Sequence, residues 1–366
     1  MNIRALLLQI FAVGLLLATG GITYGVLSAE NDRREKIEKQ IDSLEKIRLS
    51  GQTTAFSGEC TVVSNVQGSQ YRTRLDILRK DRERKVYLVD LKSGKRKKRG
   101  SKMRFFGGIS GLFQPGKFRK GRLQNCARIV ENYRVSFEND VELAGRTGSI
   151  VRLSPKSNDR PSYEFVVDRE NSFPLRFSVF GDKGDLAYRK SFDSIRFLPG
   201  QFLGVSSETR SRSRNWIRIE KKPFRPESSS QIDFPIWVPA SPPSGFERTE
   251  GVLVTINTTP PSVKIMPNIM PRFAMNLEVV HLLYSDGIAL FSLVQFSTDN
   301  PIWKMMKSFL PKAESGDGVF TRKISLGMGS AFVLELDGTV VILAGNIWAD
   351  SLQKTAESLK KIGDPS

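Results

Sequence analysis

One histidine and two cysteines in 366 residues leave little from which to build a metal centre, a nucleophilic site or a redox pair. The lone imidazole, His281, stands in mid-strand ahead of Ser285 and Asp286. A strand sets such residues along one edge, not around a pocket, so the trio reads as structural. The chain has no complete GxxxxGK[ST] phosphate loop, no GxSxG elbow and no HExxH helix. Gly327-Met328-Gly329-Ser330 is explained better by a tight turn than by a nucleotide. Acidic residues are scattered without metal-ligand spacing, and no internal repeat is present. These absences point away from an enzyme, and no cofactor or metal is expected. Cys60 and Cys126 could pair in an oxidising compartment, yet two separate buried thiols account for them equally simply.

What the chain does have is charge of one sign. A formal net charge of +18 implies acidic partners such as phosphate-bearing lipid, nucleic acid or an acidic protein surface. The N-terminus selects among them. Met1–Arg4 precedes an uncharged, mostly apolar run from Ala5 to Ala29, with Val26-Leu27-Ser28-Ala29 as a cleavage-like end. The run reads as an export signal, and it is long enough to remain as a membrane anchor. An exported protein rarely meets nucleic acid, so no nucleic-acid partner is expected.

The pattern of the remaining chain predicts an α+β, mostly β protein. Ile150–Ser154, Tyr163–Asp168, Leu175–Phe180 and Leu186–Phe197 read as an antiparallel meander broken by PKSNDRP, RENSFP and GDKGD turn clusters. Period-two alternation gives it one apolar and one wet face. Tyr163, Phe165, Phe177, Val179 and Tyr188 on the apolar face are expected to line a lipid-binding groove. Glu30–Arg48 carries Ile37, Ile41, Leu44 and Ile47 as one helical stripe that would cover that face. Phe56–Val66, Tyr71–Arg79 and Lys85–Leu91 add strands, for about seven in one curved sheet. The unbroken cationic run Lys95, Arg96, Lys97, Lys98 and Arg99, followed by Phe105 and Phe106 among glycines, suits an anionic membrane surface. A solvated hairpin tip is the plainer reading of the same residues.

Composition sets the expected boundaries. They are a signal or anchor at 1–29, a first domain at 30–200, a Ser/Arg/Pro-rich linker at 201–231 and a second domain at 232–366. In the second domain, Gly251–Ile256, Leu277–Tyr284, Ile288–Phe296, Thr321–Ile324, Ala331–Leu336 and Val340–Gly345 read as antiparallel strands. Ala349–Ile362 reads as a closing helix. Leu277–Phe296 is apolar on both faces. The helix would cover one; the other would meet the first domain or a partner.

Three stretches resemble the MucB/RseB family in the family's own order: AGRTGSIVRLSPKSNDRPSYEFVVDRENSFPLRFSVFGDKGDLAYRKSFDSIRF, then PPSGFE with VVHLLYSDGIALFSLVQF, then VVILAGNIWADSLQKTAESL. The resemblance implies a half-barrel like that of the lipoprotein carrier LolA, with a covering helix, followed by a smaller antiparallel β domain with a C-terminal helix. It also implies a periplasmic regulator of an envelope stress sigma factor. Such a protein binds the periplasmic part of a membrane-spanning anti-sigma factor, shields it from proteolysis and responds to lipid or lipopolysaccharide. The half-barrel alone would equally serve a lipid or lipoprotein carrier.

Overall fold

The computed structural model describes residues 32–362 apart from 67–68, 82, 90–95, 99–122, 124, 203–216, 227–231, 259–274, 301–302, 305–306, 308–313, 317–318 and 326–328. The first element, helix α1, runs over 32–53. Nine strands follow: β1 Thr54–Val66, β2 Ser69–Lys80, β3 Glu83–Val89, β4 Arg96–Lys98, β5 Tyr133–Leu143, β6 Arg146–Pro155, β7 Ser162–Asp168, β8 Pro174–Phe180 and β9 Leu186–Gln201. They form one open antiparallel sheet in the order β4-β3-β2-β1-β9-β8-β7-β6-β5, two strands more than expected. Pairing of β1 with β9 joins the N-terminal hairpins to the meander. A short helix, α2 (Cys126–Asn132), precedes β5 and is capped by the Asn125 side chain, which accepts from the Arg128 N–H at 3.1 Å.

The stripe on α1 packs as its spacing predicts. Leu44 and Ile47 are buried against the meander's apolar face, with Ile37 and Ile41 partly buried beside them. The opposite face is drier than alternation suggests. Val166 is fully buried there, and the acids on either side of it are paired. Glu164 accepts from Arg152 Nε at 3.1 Å and Arg176 Nη2 at 3.0 Å. Asp168 binds Arg146 and closes the turn after β7 by accepting the N–H groups of Glu170 and Asn171. Cys60 and Cys126 are both free and buried.

The second sheet holds β10 Ile217–Pro223, β12 Glu247–Thr258, β13 Met275–Ser285, β14 Leu290–Ser297, β15 Glu314–Gly316, β16 Val319–Ser325, β17 Ser330–Leu336 and β18 Thr339–Gly345. Its order is β10-β12-β13-β14-β18-β17-β16-β15. Strand β10 comes from the stretch read as linker and pairs along β12. Asp337 and Gly338, both at positive φ, make the tight β17–β18 turn. Helix α3 (Ala349–Glu357) buries Leu352 and Ala356. It is shorter than the expected Ala349–Ile362, because the chain leaves it to form β19 (Leu359–Lys361), which pairs with β11 (Trp237–Pro239). The β13–β14 hairpin is buried on both faces. Val280, Leu282, Tyr284, Phe291 and Leu293 lie in a core with α3, and Leu277, Val279 and Val294 pack on Trp303, from the segment after β14. The hairpin meets the first sheet by its tip, not by a face.

Candidate functional site

That tip, Asp286-Gly287-Ile288, is where the two sheets are joined. Asp286 is fully buried, and its carboxylate is saturated with donors. Oδ2 accepts from Tyr133 Oη at 2.9 Å and from Arg160 Nη1 at 2.7 Å. Oδ1 accepts the N–H groups of Ile288 at 3.0 Å and Ala289 at 2.7 Å, which fixes the turn. Arg160, equally buried, spends its other donors on Asp159 at 2.6 and 2.9 Å and on the Ser244 carbonyl, and lies over the Phe246 ring at 4.8 Å. Burial opposes the Arg160 charge, yet the bond to Asp159 and the charge of Asp286 raise its pKa above the ordinary value. Burial pushes Asp286 upward and Tyr133 well upward. A buried pair is tolerable only when its polar atoms are met, and here all three guanidinium nitrogens and both Asp286 oxygens have partners.

Around the pair the joint is stitched by short-range polar contacts. Asn132 Nδ2 donates to the carbonyl of Asp286 at 3.1 Å, and Arg128 Nη1 to that of Ser285 at 3.2 Å. Arg128 also pairs with Glu247. Asn346 Nδ2 donates to Tyr163 Oη at 3.3 Å, and the Trp348 N–H to the Asp159 carbonyl at 3.3 Å. Gly287 has φ +111°, and a Cβ there would lie 2.7 Å from the Asn125 carbonyl oxygen. Only glycine fits this turn against α2. Ile288 then enters the first sheet's apolar core, beside Ile129 and Tyr163.

The five residues read as a lipid groove do share one face, but it is covered. Tyr163, Phe165, Phe177, Val179 and Tyr188 are all buried, in one cluster with Leu44 and Ile47 of α1, Ile129 of α2 and Ile288. Phe177 sits at the centre of the rings, 5.0 Å from Phe165, 6.0 Å from Tyr163 and 6.2 Å from Tyr188. A ligand reaches this wall only where the cover stops or lifts. An open recess of about 420 Å³ lies at the start of α1, lined by Lys36, Lys39, Gln40 and Phe137 among others, and includes none of the five. Strand register sets a row of side chains across the wall: Phe137, Val151, Phe165, Phe177, Lys190, Val62 and Thr73. Its β6–β8 part lies under α1 and α2, while Phe137 on β5 is exposed. Over β1–β3 the cover thins: Val62 and Leu75 are partly buried and Leu88 is exposed.

Of the cationic run, Lys95, Arg99, Phe105 and Phe106 lie outside the described residues, as does the apolar N-terminal run. Arg96, Lys97 and Lys98 form β4, the edge strand paired with β3. Among the described residues no group of side chains could hold a metal ion, and no helix is long and apolar enough to cross a membrane.

The sequence reading missed Tyr133, Arg160 and Asn346 altogether, and took Asp286 for an ordinary turn residue. The signal was present: Arg160 and Asp286 both lie in the stretches that carry the family resemblance. Residues 42–214 match the MucB/RseB N-terminal domain. The fold is similar to that of MucB in complex with MucA(peri), at 15% identity and a TM-score of 0.51. It is similar also to the Pseudomonas aeruginosa MucA/MucB complex structure, at 16% identity and a TM-score of 0.52. Each likeness covers 89% of this chain and 100% of the other. No curated protein matches the sequence. Residues 42–214, a little under half of the chain, thus carry a domain of the MucB/RseB family.

Proposed function

We propose that the chain is a non-enzymatic periplasmic regulator of an envelope stress sigma factor. It holds the periplasmic part of a membrane-spanning anti-sigma factor, shields it from proteolysis, and yields it when a lipid or lipopolysaccharide occupies the concave wall. The observation that carries this reading is the likeness, across both sheets, to two structures of MucB in complex with MucA, one of them with MucA(peri). The joint supports it, since a fully satisfied polar clamp holds two sheets as one platform on which a partner could lie across both. An apolar wall under a helical cover supports the lipid arm. The run Lys95–Arg99 with Phe105 and Phe106 would bring that wall to an anionic membrane surface.

The test is a protease-protection assay. The purified chain is mixed with the periplasmic segment of a one-span anti-sigma factor from the same cell, with and without lipopolysaccharide or anionic phospholipid. Protection that lipid abolishes is expected. Absence of binding to that segment, together with transfer of lipid or lipoprotein between membranes, would instead make the chain a carrier.

A further inference from the structure

We propose that Lys190 is an anion subsite in the concave wall, receiving the phosphate or carboxylate head of a ligand whose acyl chain lies along the apolar face. The inference rests on the lipid arm of the function proposed above, and names the headgroup chemistry that arm leaves open.

Lys190 is the one charged residue in its cross-strand row of the wall. Across the sheet its neighbours in register are Phe177 on β8 and Val62 on β1. Along β9, on the same face, they are Tyr188 and Phe192, both buried. Among the described residues no carboxylate pairs with it, and its ammonium lies over the Phe192 ring at 5.1 Å. Burial depresses its pKa; the neighbouring Cys60 thiol opposes that, and the nearby charges of Arg84 and Arg79 add to it. Arg79 is itself spent on structure: its guanidinium binds the Gly51 and Thr54 carbonyls at the end of α1, at 2.6–3.0 Å. It therefore supplies positive field without competing for a ligand.

A lone ammonium on an apolar wall costs stability that a methionine of similar length would not. A ring contact returns only part of it. An anion placed at the ammonium would restore the rest, and the wall offers a path to it. Lys190 is itself partly exposed, at the border where the α1 cover gives way to the thinly covered strip through Val62, Leu75 and Leu88. A chain lying on that strip would bring its head to Lys190 without displacing α1 entirely. A neutral head would leave the ammonium as unpaired as before, so the site would select for charge.

The experiment titrates the exported chain with three probes sharing one palmitoyl tail: palmitoyl phosphate, palmitate and monopalmitoylglycerol. The wild type should bind at least one anionic probe about tenfold or more tighter than the neutral one, the span of one charge-assisted contact. Whichever anionic probe binds tighter identifies the head as phosphate or carboxylate. Lys190→Met should erase that preference while leaving monopalmitoylglycerol affinity unchanged, and Lys190→Arg should keep it. Lys190→Met should also melt no lower than the wild type. An undiminished preference in Lys190→Met overturns the proposal, as does a melting temperature several degrees below the wild type, which would make the ammonium structural. Equal wild-type affinity for all three probes overturns the subsite and leaves the lipid arm standing. No binding of any of them removes both.

Discussion

Removing either partner of the Arg160–Asp286 pair should destabilise the chain, and the two losses should not add. Asp286→Ala strips an acceptor from Tyr133, from Arg160 and from two backbone N–H groups, all buried. Breaking a buried pair from one side costs about 3–5 kcal/mol, and the stranded donors place this variant at the upper end. Arg160→Met leaves Asp286 with three of its four donors, so about 3 kcal/mol is expected. In the double variant neither charge remains to be stranded, and the cost should fall short of the sum by about 2–3 kcal/mol. Urea denaturation measures all four corners of the cycle. It also tests the joint's role, because all four tryptophans lie after residue 215. Indole fluorescence therefore follows the second half of the chain, while circular dichroism follows both sheets. The two transitions should coincide in the wild type and separate in the single variants. Singles that add within about 0.5 kcal/mol would refute the coupling. Coincident transitions in every variant would refute the claim that this pair holds the sheets together.

Three further outcomes follow from the same structure. Gly287→Ala, forced to a positive φ with its Cβ against the Asn125 carbonyl, should cost about 1–3 kcal/mol in the same denaturation assay; a neutral result would mean that the tip docks differently. Burial raises both thiol pKa values, and that of Cys126 is pushed up to about 12, with a hydrogen bond to Glu45 adding to it. Both cysteines should thus resist alkylation at pH 8 and react on denaturation. Since the folded pKa exceeds the unfolded one, their contribution to stability is complete below about pH 8.5 and is lost as pH rises through the folded pKa, for Cys126 toward 12. Neutralising Lys95–Arg99 should weaken binding to anionic vesicles and flatten its salt dependence; unchanged binding at low salt would return the run to a solvated loop.

The parts of this fold that were legible in the sequence are those written in local chemistry. The meander strands were bounded by Gly, Pro, Asn and Asp clusters, and each was found within a few residues of its expected ends. The stripe on α1 was found for the same reason. Helix α2 was not, because seven residues are too few for a helical period to show, and β5 behind it has an irregular register between Glu138 and Val141. The wet face was misread at Val166 and Asp168, where turn geometry and paired arginines allow burial that alternation alone forbids. The joint was illegible in a different sense. Arg160 and Asp286 stand 126 positions apart, each in a turn that looks ordinary by itself. Nothing local says that two turns meet. The grouping on one face of the five residues read as a lipid groove followed from period two, but their cover by a second helix and by Ile288 did not.

One short element, α2, touches both the wall and the joint, and this bears on how a ligand in one could act on the other. In α2 and the start of β5, Ile129 and Val130 are buried, Ile129 as part of the wall's cover, while Arg128, Asn132 and Tyr133 hold the hairpin tip. Seven residues form two turns of helix, so Ile129 cannot be displaced without moving Arg128 and Asn132. On the proposed reading, an acyl chain that takes the place of Ile129 loosens the clamp. The energies are commensurate. Driving a two-state platform from 1:99 to 99:1 needs about 5.5 kcal/mol of differential binding. Each buried methylene supplies about 0.8 kcal/mol, so about seven methylenes suffice. The effect should therefore depend on chain length. Probes with tails of about six carbons or fewer should leave the chain as it is. Tails of ten or more should shift the emission of Trp348, whose N–H crosses the joint to Asp159. In Arg160→Met, where the clamp is already weakened, shorter tails should become sufficient. A response independent of tail length, or a threshold that Arg160→Met leaves where it was, would separate the wall from the joint and refute this route.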